Sequence, residues 1–402
     1  MNSKSRRQFI WTSAAVLSTW GLHQLWRRSN LQDSSAQTIQ PRQFFGASYK
    51  TQAATSATYD PRETTAFAFR IDERGLGFEH FPISVPAHTI NPIPDQPHRG
   101  LAVSSRAPLA SIVDWQSQKE ICKLELPSDQ ILQGHVVYRQ SASGPPTAFI
   151  SASRRIGSRM ADGRLIEVEL NDLQIVKSHP IPSGFSHEML AIDQDHIVMG
   201  LAGLLRSGSR FGVFDVVTGK TDKLPSLFEI DEWRGMAHFV MAANQPKASR
   251  LSVWSSNSRD SRDGQSFIDP ALVFLDLDSM RTDKFMFPDE LKRSELLSMA
   301  YHPQTGRLWG TLPDLKQAFV FDVESRRLIK VLQFPYRVTF AGLGQLDPQH
   351  IVLGGGSQFS IWDADKIEML DEQSRLAAVS PHADFNISHL REAVADSLAH
   401  AI

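Results

Sequence analysis

Four histidines each stand at the start of a short apolar run, and they recur at intervals of 37, 52 and 51 residues: His98, His135, His187 and His238. Arginines flank two of these runs, at Arg99 and Arg234, and Glu188 directly follows the third histidine. Similar spacing between similar segments indicates that the four histidines occupy equivalent places in a repeated structural unit.

Imidazoles brought together on one axis could hold a metal ion. Imidazole suits copper, iron and zinc, and a carboxylate can add a further ligand. We therefore predict metal ligands at His135, His187 and His238, with Glu188 beside them and a transition metal ion as the cofactor. With Arg99 and Arg234, the same set would also suit a small anionic ligand. The alternative for each histidine is a hydrogen-bonded structural residue.

Other kinds of site find little support. The chain has no G-x-S-x-G, H-E-x-x-H or Walker motif. Cys122 is the only cysteine, so neither an intramolecular disulfide nor a thiolate zinc cluster can form. Without residues 1–36 the chain keeps 37 basic and 43 acidic residues and no basic stripe, which argues against nucleic acid as a partner.

A repeat with a period near that of propeller blades organises the chain. Two apolar residues followed by an acidic one recur five times, ending at Asp114, Asp215, Asp276, Asp322 and Asp363. Looser copies, with one apolar residue before the acidic one, end at Asp72 and Glu169, and the seven copies lie 41 to 61 residues apart. Around each lie short runs rich in β-branched and aromatic residues, separated by turn residues at hairpin spacing. The pattern predicts an all-β chain, a single β-propeller over residues 44–385. Seven four-stranded blades fit the repeat best, and the alternative is six blades and a partial one, because the second unit is short. The acidic residue is expected to cap the turn to the fourth strand.

The chain's C-terminal part is expected to complete the ring. The first unit lacks an innermost strand, and residues 376–382 resemble that strand elsewhere, so we expect them to close the propeller. A helix is predicted over Ser388–Ala401, within a C-terminal segment 386–402. Its apolar stripe is formed by Ile387, Leu390, Val394 and Leu398. The helix would lie on the propeller wall or dock a partner protein.

The N-terminal residues 1–36 read as a signal segment. Arg6 and Arg7 fit the twin-arginine pattern and precede a mildly apolar stretch from Ile10 to Trp26. This stretch is short and polar for a membrane span. We expect export to the periplasm, with membrane contact only through this segment if it is not cleaved.

Several blocks resemble the domain-of-unknown-function 1513 family, which comprises twin-arginine-exported, propeller-like bacterial proteins. They contain Gln133-Gly134-His135-Val136, Gly184 to Leu190, Met236 to Phe239, and Ala341 to Asp363. The resemblance implies innermost-strand histidines at His135, His187 and His238. Arg99 takes the place of the histidine usual in the second blade, with His98 displaced by one residue. The resemblance also implies a connection with iron and copper handling.

Three functions remain open at this stage. The first is a periplasmic binding or accessory protein whose tunnel mouth holds a metal ion or an anionic ligand. The second is a metal-dependent enzyme, a hydrolase or oxidoreductase, that uses the same site. The third is an interaction scaffold for a periplasmic protein, with no tunnel site.

Overall fold

A computed structural model of the chain shows an all-β protein. It describes residues 42–50, 64–72, 75–105, 107–139, 145–156, 159–182, 184–202, 210–225, 234–242, 250–260, 267–342, 350–355, 358–374 and 385–392. The predicted signal segment 1–36 lies outside the described residues. Among those described, none forms a helix that has both the length and the apolar character needed to cross a membrane.

The strands of the first half of the chain are β1 (Arg42–Lys50), β2 (Thr64–Asp72), β3 (Gly75–Pro82), β4 (Ala87–Ile93), β5 (Gln96–Ser104), β6 (Leu109–Asp114), β7 (Lys119–Glu125), β8 (Gln130–Arg139), β9 (Thr147–Ile156), β10 (Arg159–Glu169), β11 (Ile175–Pro180), β12 (Phe185–Ala191), β13 (His196–Ala202), β14 (Arg210–Asp215) and β15 (Lys220–Lys223). Those of the second half are β16 (Arg234–Met241), β17 (Leu251–Asp260), β18 (Phe267–Asp276), β19 (Thr282–Met286), β20 (Met299–His302), β21 (Arg307–Leu312), β22 (Gln317–Asp322), β23 (Arg327–Gln333), β24 (Phe340–Gly342), β25 (His350–Gly355), β26 (Gln358–Asp363), β27 (Glu368–Ser374) and β28 (Phe385–Glu392). Two single-turn 3-10 helices, Asp289–Leu291 and Pro313–Leu315, complete the described regular structure.

The described strands form seven four-stranded antiparallel sheets. Sheet 1 has the order β28-β1-β2-β3, and sheets 2 to 7 each take four consecutive strands, beginning with β4, β8, β12, β16, β20 and β24. The first strand in each sheet's order is called its inner strand. Each inner strand contacts the next one, from β4 through β24 to β28, and β28 contacts β4. The arrangement is propeller-like.

The hydrophobic core lies between successive sheets. Six clusters of buried apolar residues fill the spaces between neighbours from sheet 1 to sheet 7. Between sheets 2 and 3, for example, Ile112 and Leu124 pack with Ile150 and Ile166. Side chains from two facing sheets fill each space, so every sheet rests on its neighbours. This packing holds the inner strands at fixed positions.

The acidic residue of the repeat ends the third strand of all seven sheets, as predicted. In five sheets its Oδ1 accepts a hydrogen bond from the backbone N–H three residues later, at 2.6 to 2.9 Å. The pairs are Asp114 with Ser117, Asp215 with Thr218, Asp276 with Ser279, Asp322 with Ser325, and Asp363 with Lys366. The predicted turn-capping role is confirmed for these five residues.

The predicted C-terminal helix is wrong for its first residues. Residues 385–392 form β28, which pairs antiparallel with β1. The open edge of β1 offers backbone partners to an eight-residue segment, whereas a short helix is marginal without a packed face. The C-terminal part of the chain does supply the inner strand of sheet 1. The segment predicted for this role, 376–382, and the rest of the predicted helix lie outside the described residues.

Candidate metal centre

Histidines on the inner strands of sheets 2 to 5 lie at irregularities in strand pairing. On β12, His187 and Glu188 lie opposite the single residue Gly200 of β13. On β16, Ala237 and His238 lie opposite the single Ser255 of β17. Such a β-bulge adds a residue to one strand and redirects the side chains there.

The two preceding inner strands, β8 and β4, also carry additional residues at a bulge. On β8, the three residues Gln133, Gly134 and His135 lie opposite Ser151 of β9. On β4, His88 is an additional residue between Ala87 and Thr89, which pair with consecutive residues of β5. Each of the four inner strands therefore presents a histidine where its ladder is interrupted.

Gly134 allows two of these strands to approach. Its φ of +93° lies in a region that side-chain-bearing residues rarely adopt. A Cβ at Gly134 would lie 2.4 Å from Cδ2 of His88, so the imidazole occupies the space that a side chain would fill. Thr89 donates its hydroxyl hydrogen to the carbonyl of Gly134, and the Asn91 amide donates to Thr89 Oγ1 at 2.7 Å. These contacts hold His88 against the β8 bulge.

Four imidazole rings are consequently close together. The ring centroids of His135 and His187 are 4.7 Å apart, and His88 lies 5.2 Å from His135 and 5.3 Å from His187. His238 lies 5.1 Å from His187 and 5.2 Å from His135. The sequence interval therefore correctly predicted that His135, His187 and His238 come together.

Glu188 links the buried members of the cluster. Its Oε2 lies 3.0 Å from Nδ1 of His135 and 3.5 Å from Nδ1 of His238. His135 is fully buried and Glu188 is 2% exposed. An Nδ1–H that His135 donates to this carboxylate leaves the ring's lone pair on Nε2. A carboxylate on one nitrogen of an imidazole is the arrangement that orients metal-binding histidines in many proteins.

Serine hydroxyls on second strands support the bulged backbone. The N–H of His238 donates to Oγ of Ser255 at 3.0 Å, and the N–H of Ser186 donates to Oγ of Ser151 at 3.2 Å. Both of these acceptor serines are fully buried. A bulge takes backbone groups out of the regular ladder, and an unpaired buried group is costly. The Ser255 hydroxyl thus gives the bulged His238 N–H a partner, and the Ser151 hydroxyl ties β12 to the neighbouring sheet.

The environment keeps His187 neutral. Burial lowers the pKa of His187 to about 3, and the neighbouring His238 acts in the same direction. Glu188 and a backbone hydrogen bond with Gln133 raise the pKa only in part. A neutral imidazole is the form that binds a metal ion. His187 is therefore ready to act as a ligand throughout the physiological pH range.

The donor atoms form two overlapping groups that could each hold a metal ion. One group is His88, His135 and His187, and the other is His135, Glu188 and His238. Within each group the donor atoms lie within 4.8 Å of one another. In the first group His88 and His187 retain some accessible surface, whereas all three members of the second group are buried. The first group thus combines three imidazoles with an approach for the ion.

The predicted positions of His98 and Arg99 are wrong. Both lie on β5, the second strand of sheet 2, and not on an inner strand. Nε of Arg99 contacts Asp114 Oδ2 at 3.1 Å, and Nε2 of His98 lies 3.8 Å from the same oxygen. This pair belongs to the turn after β6. Arg234 lies on the inner strand β16, but its side chain lies outside the described residues.

His88 is the member that the sequence reasoning missed. Its strand contains Pro92 and follows Pro86, and proline removes a ladder donor, so this segment was a poor candidate for an inner strand. One signal was present. His88 precedes His135 by 47 residues, which is closer to the next two intervals than the 37 residues from His98.

A separate surface cavity of about 470 Å³ lies on sheet 3, away from the histidines. Its lining includes Asp129, Arg154, Asp162 and Arg164. Nε of Arg154 contacts Asp129 at 2.7 Å, and its Nη1 lies 3.9 Å from Asp162. The charge of Arg154 is therefore matched within the cavity, which offers no comparable set of convergent donors.

Comparisons with known proteins support the fold alone. No protein-family model and no curated protein matches the chain. A Kuenenia stuttgartiensis hydrazine synthase structure is similar at a TM-score of 0.55 and 10% identity, over 82% of this chain and 100% of that chain. Saccharomyces cerevisiae Sqt1 is similar at a TM-score of 0.51 and 9% identity, over 77% of this chain and 79% of that chain. The chain thus has a propeller-like all-β fold with histidine clusters that could hold a metal ion.

Proposed function

We propose that this chain is an exported, seven-bladed β-propeller that binds a transition metal ion in the periplasm, as a binding or accessory protein. The seven described sheets and the contact between β28 and β4 support a single closed ring. The twin-arginine pattern at Arg6 and Arg7 supports export. Replacing both arginines with lysine should keep the protein in the cytoplasmic fraction.

The observation that carries the metal proposal is the convergence of three imidazoles beside an orienting carboxylate. His88, His135 and His187 would hold the ion, and Glu188 would position His135 through Nδ1. A three-histidine set suits iron, copper and zinc. Zinc–nitrogen bonds of ~2.0–2.1 Å place tetrahedral donors roughly 3.4 Å apart. Donors within 4.8 Å of one another would therefore have to approach by at most about 1.4 Å when the ion binds.

Burial favours binding over catalysis. His135 and Glu188 are almost completely buried and His238 is 8% exposed, so this side of the cluster is closed to a substrate. An anionic ligand is a weaker proposal for the histidine cluster. Arg99 contacts Asp114, so Arg234 is the remaining cationic candidate among the predicted residues.

A metal-dependent enzyme is the second candidate. The half-buried His88 and His187 leave one side of the three-histidine group accessible. An open coordination position is typical of catalytic metal sites, where the ion activates water or polarises a substrate oxygen.

The direct test is the metal content of the protein recovered from a periplasmic fraction. We expect near-stoichiometric iron, copper or zinc in the wild type and its loss in a triple alanine variant of His88, His135 and His187. The control is His196→Ala, which removes an exposed histidine of sheet 4 that pairs with Asp193. A wild-type protein that contains no metal, and takes none up on dialysis against each ion, would contradict the proposal.

A further inference from the structure

The inner strand of sheet 1 has the same irregularity as the histidine-bearing strands. In its pairing with β1, Gly46 lies opposite Leu390 and Ser48 lies opposite Ile387. Ala47 therefore faces two residues of β28, Ser388 and His389. β28 thus carries one additional residue at this place, as β12 and β16 do.

The five bulges can be compared by the residue at which regular pairing begins again after each bulge. The residue directly before that point is the corresponding position on all five bulged inner strands: His88 on β4, His135 on β8, Glu188 on β12, His238 on β16 and His389 on β28. The first four of these residues belong to the candidate metal centre. His389 occupies the same register position as they do.

The order of the strands places this position at one end of the cluster. β28 contacts β4, which contacts β8, and so on to β16. Successive members lie close together, since the rings of His88 and His135 are 5.2 Å apart and His135 lies 3.0 Å from Glu188. β28 is the neighbour of β4 as β4 is the neighbour of β8. The bulge position of His389 is therefore next to that of His88, as that of His88 is next to that of His135.

We propose that His389 is a further member of the metal site, supplied by the C-terminal strand and adjacent to His88. The proposal rests on the metal-binding function above. It links two properties of β28, which completes sheet 1 and also carries a histidine at the register position of the metal centre. An ion that binds only the assembled form would then stabilise the docked C-terminal strand by mass action.

Zn²⁺ titration of the full chain tests the proposal, with affinity measured by competition against a chromogenic chelator. Removing the partner that orients a metal ligand typically costs 10–100-fold in metal affinity, and removing a ligand should cost at least as much. We expect His389→Gln to weaken Zn²⁺ binding about 10-fold or more and Asn386→Ala, on the same strand, to leave it unchanged. Wild-type affinity in His389→Gln, with binding lost in His135→Ala, would overturn this inference and leave the proposed function intact. A wild type that does not bind Zn²⁺, iron or copper would overturn both.

A second measurement uses the wild type, so it does not depend on the folding of a variant. Diethylpyrocarbonate modifies accessible imidazoles, and mass spectrometry measures the modification of each histidine with and without Zn²⁺. We expect Zn²⁺ to slow the modification of His389 and His88 several-fold and to leave the exposed His196 unaffected. Equal modification of His389 in both conditions, with His88 protected, would contradict its membership of the site.

Discussion

The inner strands of sheets 1 to 5 differ from those of sheets 6 and 7 in how they pair with the next strand. Those of sheets 1 to 5 carry a bulge, and in four of them a described histidine side chain lies in the cluster at that bulge. Those of sheets 6 and 7, β20 and β24, keep a constant register throughout their described pairing. The difference separates five sheets with irregular inner strands, four of which bring a histidine into the cluster, from two sheets whose inner strands keep their register.

His302 shows why the bulge matters more than the residue type. It lies at the end of β20 and is almost completely buried, as His135 is. Its Nδ1 lies 3.0 Å from Oγ1 of Thr305 in the following turn, and β20 pairs regularly with β21. A histidine on an unbulged inner strand is thus engaged locally, whereas the bulged strands bring their histidines together.

The largest effect is expected where two bulged strands meet, at Gly134. An alanine there would combine a φ of +93° with a Cβ 2.4 Å from the His88 ring. We expect Gly134→Ala to lower the free energy of unfolding by about 2 kcal/mol or more and to abolish metal binding. Urea unfolding and metal analysis measure both effects.

A double variant separates the two causes. In His88→Ala/Gly134→Ala the ring that opposes the new methyl group is absent, so part of the lost stability should return. The backbone strain at Gly134 would remain. If the double variant is no more stable than Gly134→Ala, the contact with His88 is not the source of the destabilisation.

The next effect is expected at the carboxylate between two imidazoles. Glu188→Gln replaces a charged acceptor with an amide, so His135 and His238 lose the group that orients their Nδ1 atoms. We expect metal affinity to fall roughly 10–100-fold. Glu167→Gln is the matched control, because Glu167 lies 3.9 Å from the buried His179 on sheet 3, outside the cluster. Equal loss in both variants would mean that Glu188 has no special role.

The protonation of His187 should be visible in the stability of the metal-free protein. Its pKa of about 3 in the folded state lies below the value of 6.5 for a free side chain, so the unfolded chain takes up a proton first as pH falls. Stability contributed by the neutral form is present above pH 6.5 and is lost progressively from there towards pH 3. The slope is at most ~1.4 kcal/mol per pH unit.

Urea unfolding at pH 7, 6, 5 and 4 measures this slope. His187→Gln should show a shallower dependence on pH than the wild type, whereas His196→Gln should retain the wild-type dependence. Parallel curves for the wild type and His187→Gln would contradict the low pKa of His187.

The smallest effect is expected in sheet 6, whose inner strand β20 pairs regularly. His302→Ala removes one local hydrogen bond and some buried surface from β20, which should cost about 1–2 kcal/mol of unfolding free energy. Metal content should stay at the wild-type level, because β20 carries no bulge within its described pairing. Metal loss in this variant would show that the two classes of inner strand do not differ in function as we propose.

The general fold was readable from sequence because its signals are local. The seven acidic turn residues and the alternating apolar runs around them act within a few residues, so Asp114 or Asp322 reveals its role without tertiary information. The C-terminal segment was misassigned, because the three-residue spacing of Ile387 and Leu390 is that of one helix face. In β28 this spacing arises from the additional residue of the bulge that lies between them. Only the open edge of β1 decides between a helix and a strand.

The site was only partly readable. The blade-length intervals predicted His135, His187 and His238 as site residues, and Glu188 was predicted because it directly follows His187. His88 was missed and Arg99 was wrongly included, because the inner strand of sheet 2 contains proline and the following strand resembles an inner one. In a repeat, an error of one strand changes the place of every residue in the unit. Arg99 was assigned to the inner strand of sheet 2, but it lies on β5 and contacts Asp114, which ends β6.

The sequence by itself determined the repeat, the turn chemistry and the presence of several histidines at blade-length spacing. These properties depend on short-range periodicity and on residue types. Tertiary structure decided which histidines meet, because a bulge exists only in relation to the strand it pairs with. The additional residues at His88, His187 and His389 become visible only when β5, β13 and β1 lie beside them.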